Sequence, residues 1–232
     1  MKTESRTKRS IKNVLSGIVL KFVALLFPFI IKTVIINVLG VRYLGLNSLF
    51  TSILMVLSLS ELGIGTALVY NMYKPIANED TEKVCALLKT YRDVYRVIGV
   101  IIAVIGIALM PFLQVLVRGE CPEDINIYVL YSIYLFNTVI SYFLFAYKKS
   151  LWEASQLNGR NNILETITTS FMYIMQVVVL ILFKNYYVYI IFLPISTLLF
   201  NLLRSNFLVH DLPAHTCRDI EARGFIKELY TK

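Results

Sequence analysis

The strongest constraint on this chain is the recurrence of long, nearly uninterrupted apolar runs separated by short polar segments. A helix needs about 20 predominantly apolar residues to cross a bilayer. Six stretches approach that requirement: about Asn13 to Leu39, Leu46 to Met72, Val97 to Val117, Ile125 to Ala146, Ile163 to Phe183 and Tyr186 to Leu203. With 57% hydrophobic and only 16% charged residues, the chain falls outside the range of ordinary soluble domains. The expected fold is therefore all-α: a polytopic membrane bundle of six transmembrane helices over residues 13–203. A polar N-terminus (1–12) precedes it and a polar tail (204–232) follows. The first run lacks a small-residue cleavage site, which marks a retained span and not a signal peptide.

The net charge of +8 does not point to nucleic acid, because the basic residues lie between the apolar runs and not on one water-facing surface. On the side of the N-terminus lie Lys2, Arg6, Lys8, Arg9 and Lys12; Lys74, Lys83, Lys89, Arg92 and Arg96; Lys148, Lys149 and Arg160; and Arg204, Arg218, Arg223, Lys227 and Lys232. The opposite side holds Arg42, Arg118 and Lys184. Cytoplasmic loops collect Lys and Arg, so this asymmetry predicts cytoplasmic termini and cytoplasmic long loops. Tyrosines near the span ends, among them Tyr43, Tyr70, Tyr73, Tyr128, Tyr186 and Tyr189, are expected to form an interfacial belt.

Two of the 23 basic residues, Lys21 and Lys32, lie inside the first span. Eleven residues apart, they project from nearly the same helix face, roughly 16 Å apart along the axis. A charge near the bilayer centre costs about 2.5–3.5 kcal/mol, so a compensating partner is expected. That partner is either a structural counter-ion such as Glu61, deep in the second run, or an anionic group in a water-filled cavity. Gly63 and Gly65, close to Glu61, allow tight helix approach. Asn137 and Gln176 are uncharged polar groups within spans. They are candidate cavity residues together with Lys21, Lys32 and Glu61, although helix packing accounts for most groups of this type.

No catalytic constellation is present: the chain has no phosphate loop, nucleophile elbow or paired carboxylates. His210, His215 and Cys217 do not match a zinc spacing. Neither enzymatic activity, nor a metal, nor another cofactor is expected. Cys85, Cys121 and Cys217 have no C-x-x-C spacing and read as small apolar fillers, with no disulfide framework implied.

Three stretches give the chain a family likeness: VLGVRYLGLNSLFTSILMVLSLSELGIGTALVYNMYKPIANEDTEKVCALLKTYRDVYRVIGVI (38–101), YLFNTVISYFLFAYKKSLWEASQLN (134–158) and FIKELYTK (225–232). With them the sequence resembles the N-terminal half of bacterial polysaccharide flippases, the lipid-linked oligosaccharide exporters of the MATE-like MOP superfamily. The resemblance implies one lobe of a two-lobe transporter, with residues 204–232 forming the start of an inter-lobe linker. It also implies a cavity, open alternately to each side, that carries undecaprenyl-diphosphate-linked repeat units outward for surface polysaccharide synthesis. The implied partners are the lipid-linked oligosaccharide, membrane lipids, a second lobe and polysaccharide polymerisation machinery. A non-transporting assembly module, or a membrane-bound enzyme of the same pathway, is the competing expectation.

Overall fold

The computed structural model describes residues 6–58, 64–117, 121–144, 150–151, 153–156 and 158–211. Among these, all regular structure is helical. The helices are α1 (Arg6–Val38), α2 (Val41–Ser58), α3 (Ile64–Ala77), α4 (Thr81–Leu109), α5 (Leu113–Leu116), α6 (Ile127–Phe143), α7 (Asn158–Phe183) and α8 (Tyr186–Asp211), with a 3-10 turn at Met110–Phe112 before α5.

Among the described residues, five segments are long and apolar enough to cross a membrane: Asn13–Val38, Val41–Ser58, Thr81–Leu116, Asn161–Phe183 and Tyr186–Leu203. Helix α6, with 17 residues, is also apolar but shorter, about 25 Å at 1.5 Å per residue. Large side chains such as Ile18, Leu25 and Phe29 on α1, and Val104, Val115 and Leu182 elsewhere, stand exposed. Apolar surface on this scale is untenable in water and natural against lipid, so the molecule is a helical membrane bundle.

The helices end where local chemistry stops them. The amides of Leu39 and Gly40 both bond to the Ile35 carbonyl, and Gly40 takes φ +110°, a conformation that lacks steric cost only in glycine. The chain then re-enters helix at once. Asp80 caps α4 by accepting from the Lys83 amide; Asn126 caps α6 through the amides of Tyr128 and Val129; Asn185 caps α8 through those of Tyr187 and Val188.

Pairing between helices follows a simple register. α1 and α7 run parallel: the amide of Gly159 donates to Asn13, the Asn162 side chain donates to Ser16, and Phe27 stacks on Tyr173, so partners are offset by a constant 146 residues. α6 and α8 are also parallel, joined by Asn126 with Tyr187 and by Asn137 with Thr197. α4 meets α6 antiparallel, where Gly106 faces Leu135 and Gly99 faces Tyr142 and Phe143. α7 thus lies between α1 and α8, α6 lies between α8 and α4, and α2 packs on α1, α4 and α6. α3 leans on α4, where the Tyr91 hydroxyl donates to the Leu68 carbonyl. These contacts gather the α1–α2 turn, the connector before α6 and the α7–α8 corner at one end of the bundle. The start of α1 and the segment before α7 meet at the other.

Three features differ from expectation. Helix restarts at Val41 and not near Leu46, because Gly40 alone makes the turn and Gly45 sits inside α2. The charged stretch from Thr81 and the apolar stretch from Val97 form one helix, α4, since the buried positions Val84, Leu88, Tyr91, Tyr95, Ile98 and Ile102 keep one helical period across the change in polarity. Cys85, buried on α4, is disulfide-bonded, which corrects its reading as a simple filler; Cys121 is a free thiol.

Candidate functional site

On α1 the residues turned inward are Ser16, Ile31 and Ile35, with Leu20, Val23, Phe27, Val34 and Val38 partly covered, a stripe spaced by three and four. Lys21 and Lys32 fall about a third of a turn away from that stripe. Both are exposed, on the side that also carries the exposed Val14, Ile18, Leu25 and Ile36. Neither lysine makes an ion pair or hydrogen bond with a described residue. The bundle thus presents two cations on one face of a membrane-spanning helix without supplying their counter-charge among the described residues. Glu61, the expected partner or companion of these lysines, lies outside the described residues.

The two uncharged candidates sit elsewhere. Asn137 on α6 accepts a hydrogen bond from the Thr197 hydroxyl of α8 at 2.7 Å. One turn along, the Asn201 side chain donates to the Thr197 carbonyl at 2.8 Å. This is a polar seam binding two parallel helices. Gln176 on α7 is 1% exposed, and its Nε2 has no hydrogen-bond partner. A buried amide nitrogen left unpaired costs about 1–3 kcal/mol. The structure therefore distributes the candidates over three environments: a free face of α1 for Lys21 and Lys32, the α6–α8 seam for Asn137 and the interior of α7 for Gln176.

Sequence reasoning missed a buried tyrosine network. The Tyr134 hydroxyl donates to Asn47 Oδ1 at 2.8 Å and lies 3.0 Å from the Tyr186 hydroxyl. Tyr43 and Tyr189 pack against Tyr186 with ring centroids 5.4 and 5.5 Å apart, and Phe50 packs edge-on against Tyr134 at 5.8 Å. Tyr186 and Tyr189 were expected at the interface, yet both are buried; Tyr70, Tyr73 and Tyr128 are exposed, as a belt requires. The signal available beforehand was the aromatic richness of α6, which a lipid-facing helix explains equally well.

At the end of the bundle holding the α1–α2 turn, a cleft of about 570 Å³ opens between that turn and the connector before α6. Arg42, Tyr43, Glu123 and Asp124 supply its polar groups, and the Tyr43 hydroxyl donates to Asp124 at 2.5 Å. Nearby, burial pushes the Cys121 thiol pKa up, and the Asp124 carboxylate pushes it further in the same direction. None of Lys21, Lys32, Asn137 and Gln176 lines this cleft. Among the described residues no group of His, Cys, Asp and Glu is arranged to hold a metal ion.

Comparison with protein-family models, curated proteins and solved structures gives no match for this chain.

Proposed function

We propose that this chain is a lobe of a lipid-linked oligosaccharide flippase, working with a second helical lobe to export undecaprenyl-diphosphate-linked repeat units by alternating access across a bacterial inner membrane. The observation that carries this reading is the pair Lys21 and Lys32: two cations on one exposed face of a membrane-spanning helix, unpaired with any described residue. A diphosphate drawn along that face meets its counter-charge twice, roughly 16 Å apart, which suits an anionic cargo that must cross and not merely bind. The membrane character of the bundle and the resemblance over residues 38–101 support the same reading. In this proposal the termini are cytoplasmic, and the lysine-bearing face of α1 borders the cavity completed by the second lobe.

The test is Lys21→Ala in the complete transporter, with Lys21→Arg beside it. Surface-polysaccharide export should be lost with alanine at unchanged protein level and largely kept with arginine. Normal export by the alanine variant would remove Lys21 from the mechanism. The polar seam at Asn137 and Thr197 favours a second reading, a purely structural module, because it commits polar groups within the membrane to helix packing. A reconstituted chain together with its second lobe that moves no fluorescent lipid-linked sugar would support that alternative.

A further inference from the structure

The seam between α1 and α7 is closed at two points, and between them it is bridged by the Asn162 side chain donating to Ser16, beside which a groove stays open. At the start of α7 and about two turns into α1, Asn13 accepts from the Gly159 amide at 2.6 Å and donates to the Gln156 carbonyl at 3.1 Å. Further along, Phe27 stacks on Tyr173 with centroids 5.3 Å apart. Between these closures lies a groove of about 290 Å³, walled by Leu15, Ser16 and Val19 from α1 and Ile163, Thr166 and Ile167 from α7.

Its two hydroxyls are both spent within the protein, Ser16 also accepting from the Asn162 side chain of α7. Ser16 donates to the Asn13 carbonyl at 3.0 Å and Thr166 to the Asn162 carbonyl at 2.7 Å, so the walls offer only carbon. Water finds no partners in such a place. Both walls belong to membrane-spanning segments, so hydrocarbon is the medium at the mouth of the groove.

Around the near end basic residues outnumber acidic ones, which among the described residues are Glu153 before α7 and Glu165 in its second turn. The first two turns of α1 carry Arg6, Lys8, Arg9 and Lys12 in sequence, Arg160 falls in the first turn of α7, and neither helix has an acidic residue in its first turn. A basic cluster at the border of a membrane-spanning helix attracts anionic headgroups, at about 1 kcal/mol per basic residue near the surface.

We infer that the α1–α7 groove holds one acyl chain of an anionic glycerophospholipid, with its phosphate at the basic starts of these two helices. Leu15 and Val19 are only about 6 Å apart along the helix, so the groove takes a short run of methylenes from a chain reaching down from the headgroup level. The inference rests on the membrane nature of the bundle and not on transport.

The experiment is native mass spectrometry of the full-length chain, purified in detergent with equal amounts of phosphatidylglycerol and phosphatidylcholine. The unmodified protein should retain one phosphatidylglycerol under activation that strips phosphatidylcholine, with at least a tenfold preference. Thr166→Trp and, from the other wall, Val19→Phe should each abolish that retention while keeping helical circular dichroism. Replacing Arg6, Lys8, Arg9 and Lys12 by Gln should leave a lipid bound but remove the preference. Equal retention of the two lipids by the unmodified protein would overturn the inference, and so would undiminished retention in the folded Trp or Phe variant. Displacement of phosphatidylglycerol by equimolar polyprenyl phosphate would show that the assigned occupant is wrong. Should both wall variants fail to fold, the Gln variant decides, since an unchanged preference there contradicts the proposed phosphate position.

Discussion

Gly106 shows how a single residue sets the distance between two helices. A Cβ placed there would lie well inside van der Waals contact with the terminal carbons of Leu135, and the Tyr131 hydroxyl bonds to the Gly106 carbonyl at 3.1 Å. Small residues allow such approach in membranes, where packing replaces the hydrophobic drive between helices. Gly106→Leu should therefore destabilise the protein by about 1–3 kcal/mol, read as a lower unfolding temperature in detergent, and Leu135→Ala should recover part of the loss. A second residue-scale prediction concerns Cys121. Its thiol pKa is raised, first by burial and then by Asp124, so at a given pH less of it is thiolate than in an ordinary cysteine. Alkylation at Cys121, followed by peptide mass spectrometry, should be slower at pH 8 than for a model thiol and should keep rising at pH values where the model thiol has levelled off. Asp124→Asn should speed the reaction at pH 8.

At the scale of elements, the contact between α6 and α8 separates a packing role for Asn137 from a cargo-binding one. If the bond from Thr197 is the purpose of Asn137, a double-mutant cycle of Asn137→Leu and Thr197→Val should give a coupling of about 0.6 kcal/mol, with loss of export tracking loss of stability. If the proposed export function holds, export lost at unchanged stability would instead place Asn137 in the path of the cargo. Much of the element layout is legible in the sequence, because apolar runs and basic punctuation both leave strong marks. The joins are not. Gly40 and Gly45 look alike on paper, and only backbone geometry shows that Gly40 turns while Gly45 stays in helix. The Asn158-Gly159 pair reads as a turn. In the structure Gly159 lies within α7 and faces Asn13, a contact across 146 residues that local pattern cannot reveal. The tyrosines at span ends are ambiguous for a similar reason, since both the interface and a buried hydroxyl network favour Tyr near the end of a helix. Of the candidate site, the lysines were visible because charge inside an apolar run is rare. The separate surroundings of Asn137 and Gln176 were not, because helix phase relative to neighbours is set by tertiary packing.

At the scale of the whole molecule, the helix directions bear on which basic segments share an end of the bundle. The contacts place the α1–α2 turn, the connector before α6 and the α7–α8 corner together, and the basic residues of these segments among the described residues are Arg42 and Lys184. The beginning of α1 and the segment before α7, which meet through Asn13, belong to the basic set. A bundle with one basic and one nearly neutral end inserts in one direction, because translocating a loop rich in Lys and Arg is disfavoured. An epitope tag inserted after Glu123 should accordingly be detected on intact spheroplasts, whereas a tag after Asn78, in the turn between α3 and α4, should be detected only after permeabilisation. The reverse pattern would invert the orientation and place Arg6, Lys8, Arg9 and Lys12 on the outer side. Under the proposed export function, Lys21, which is nearer to the basic end of α1 than Lys32, would then meet the cargo last and not first, so the labelling result would also set the order in which the two lysines act in that proposal.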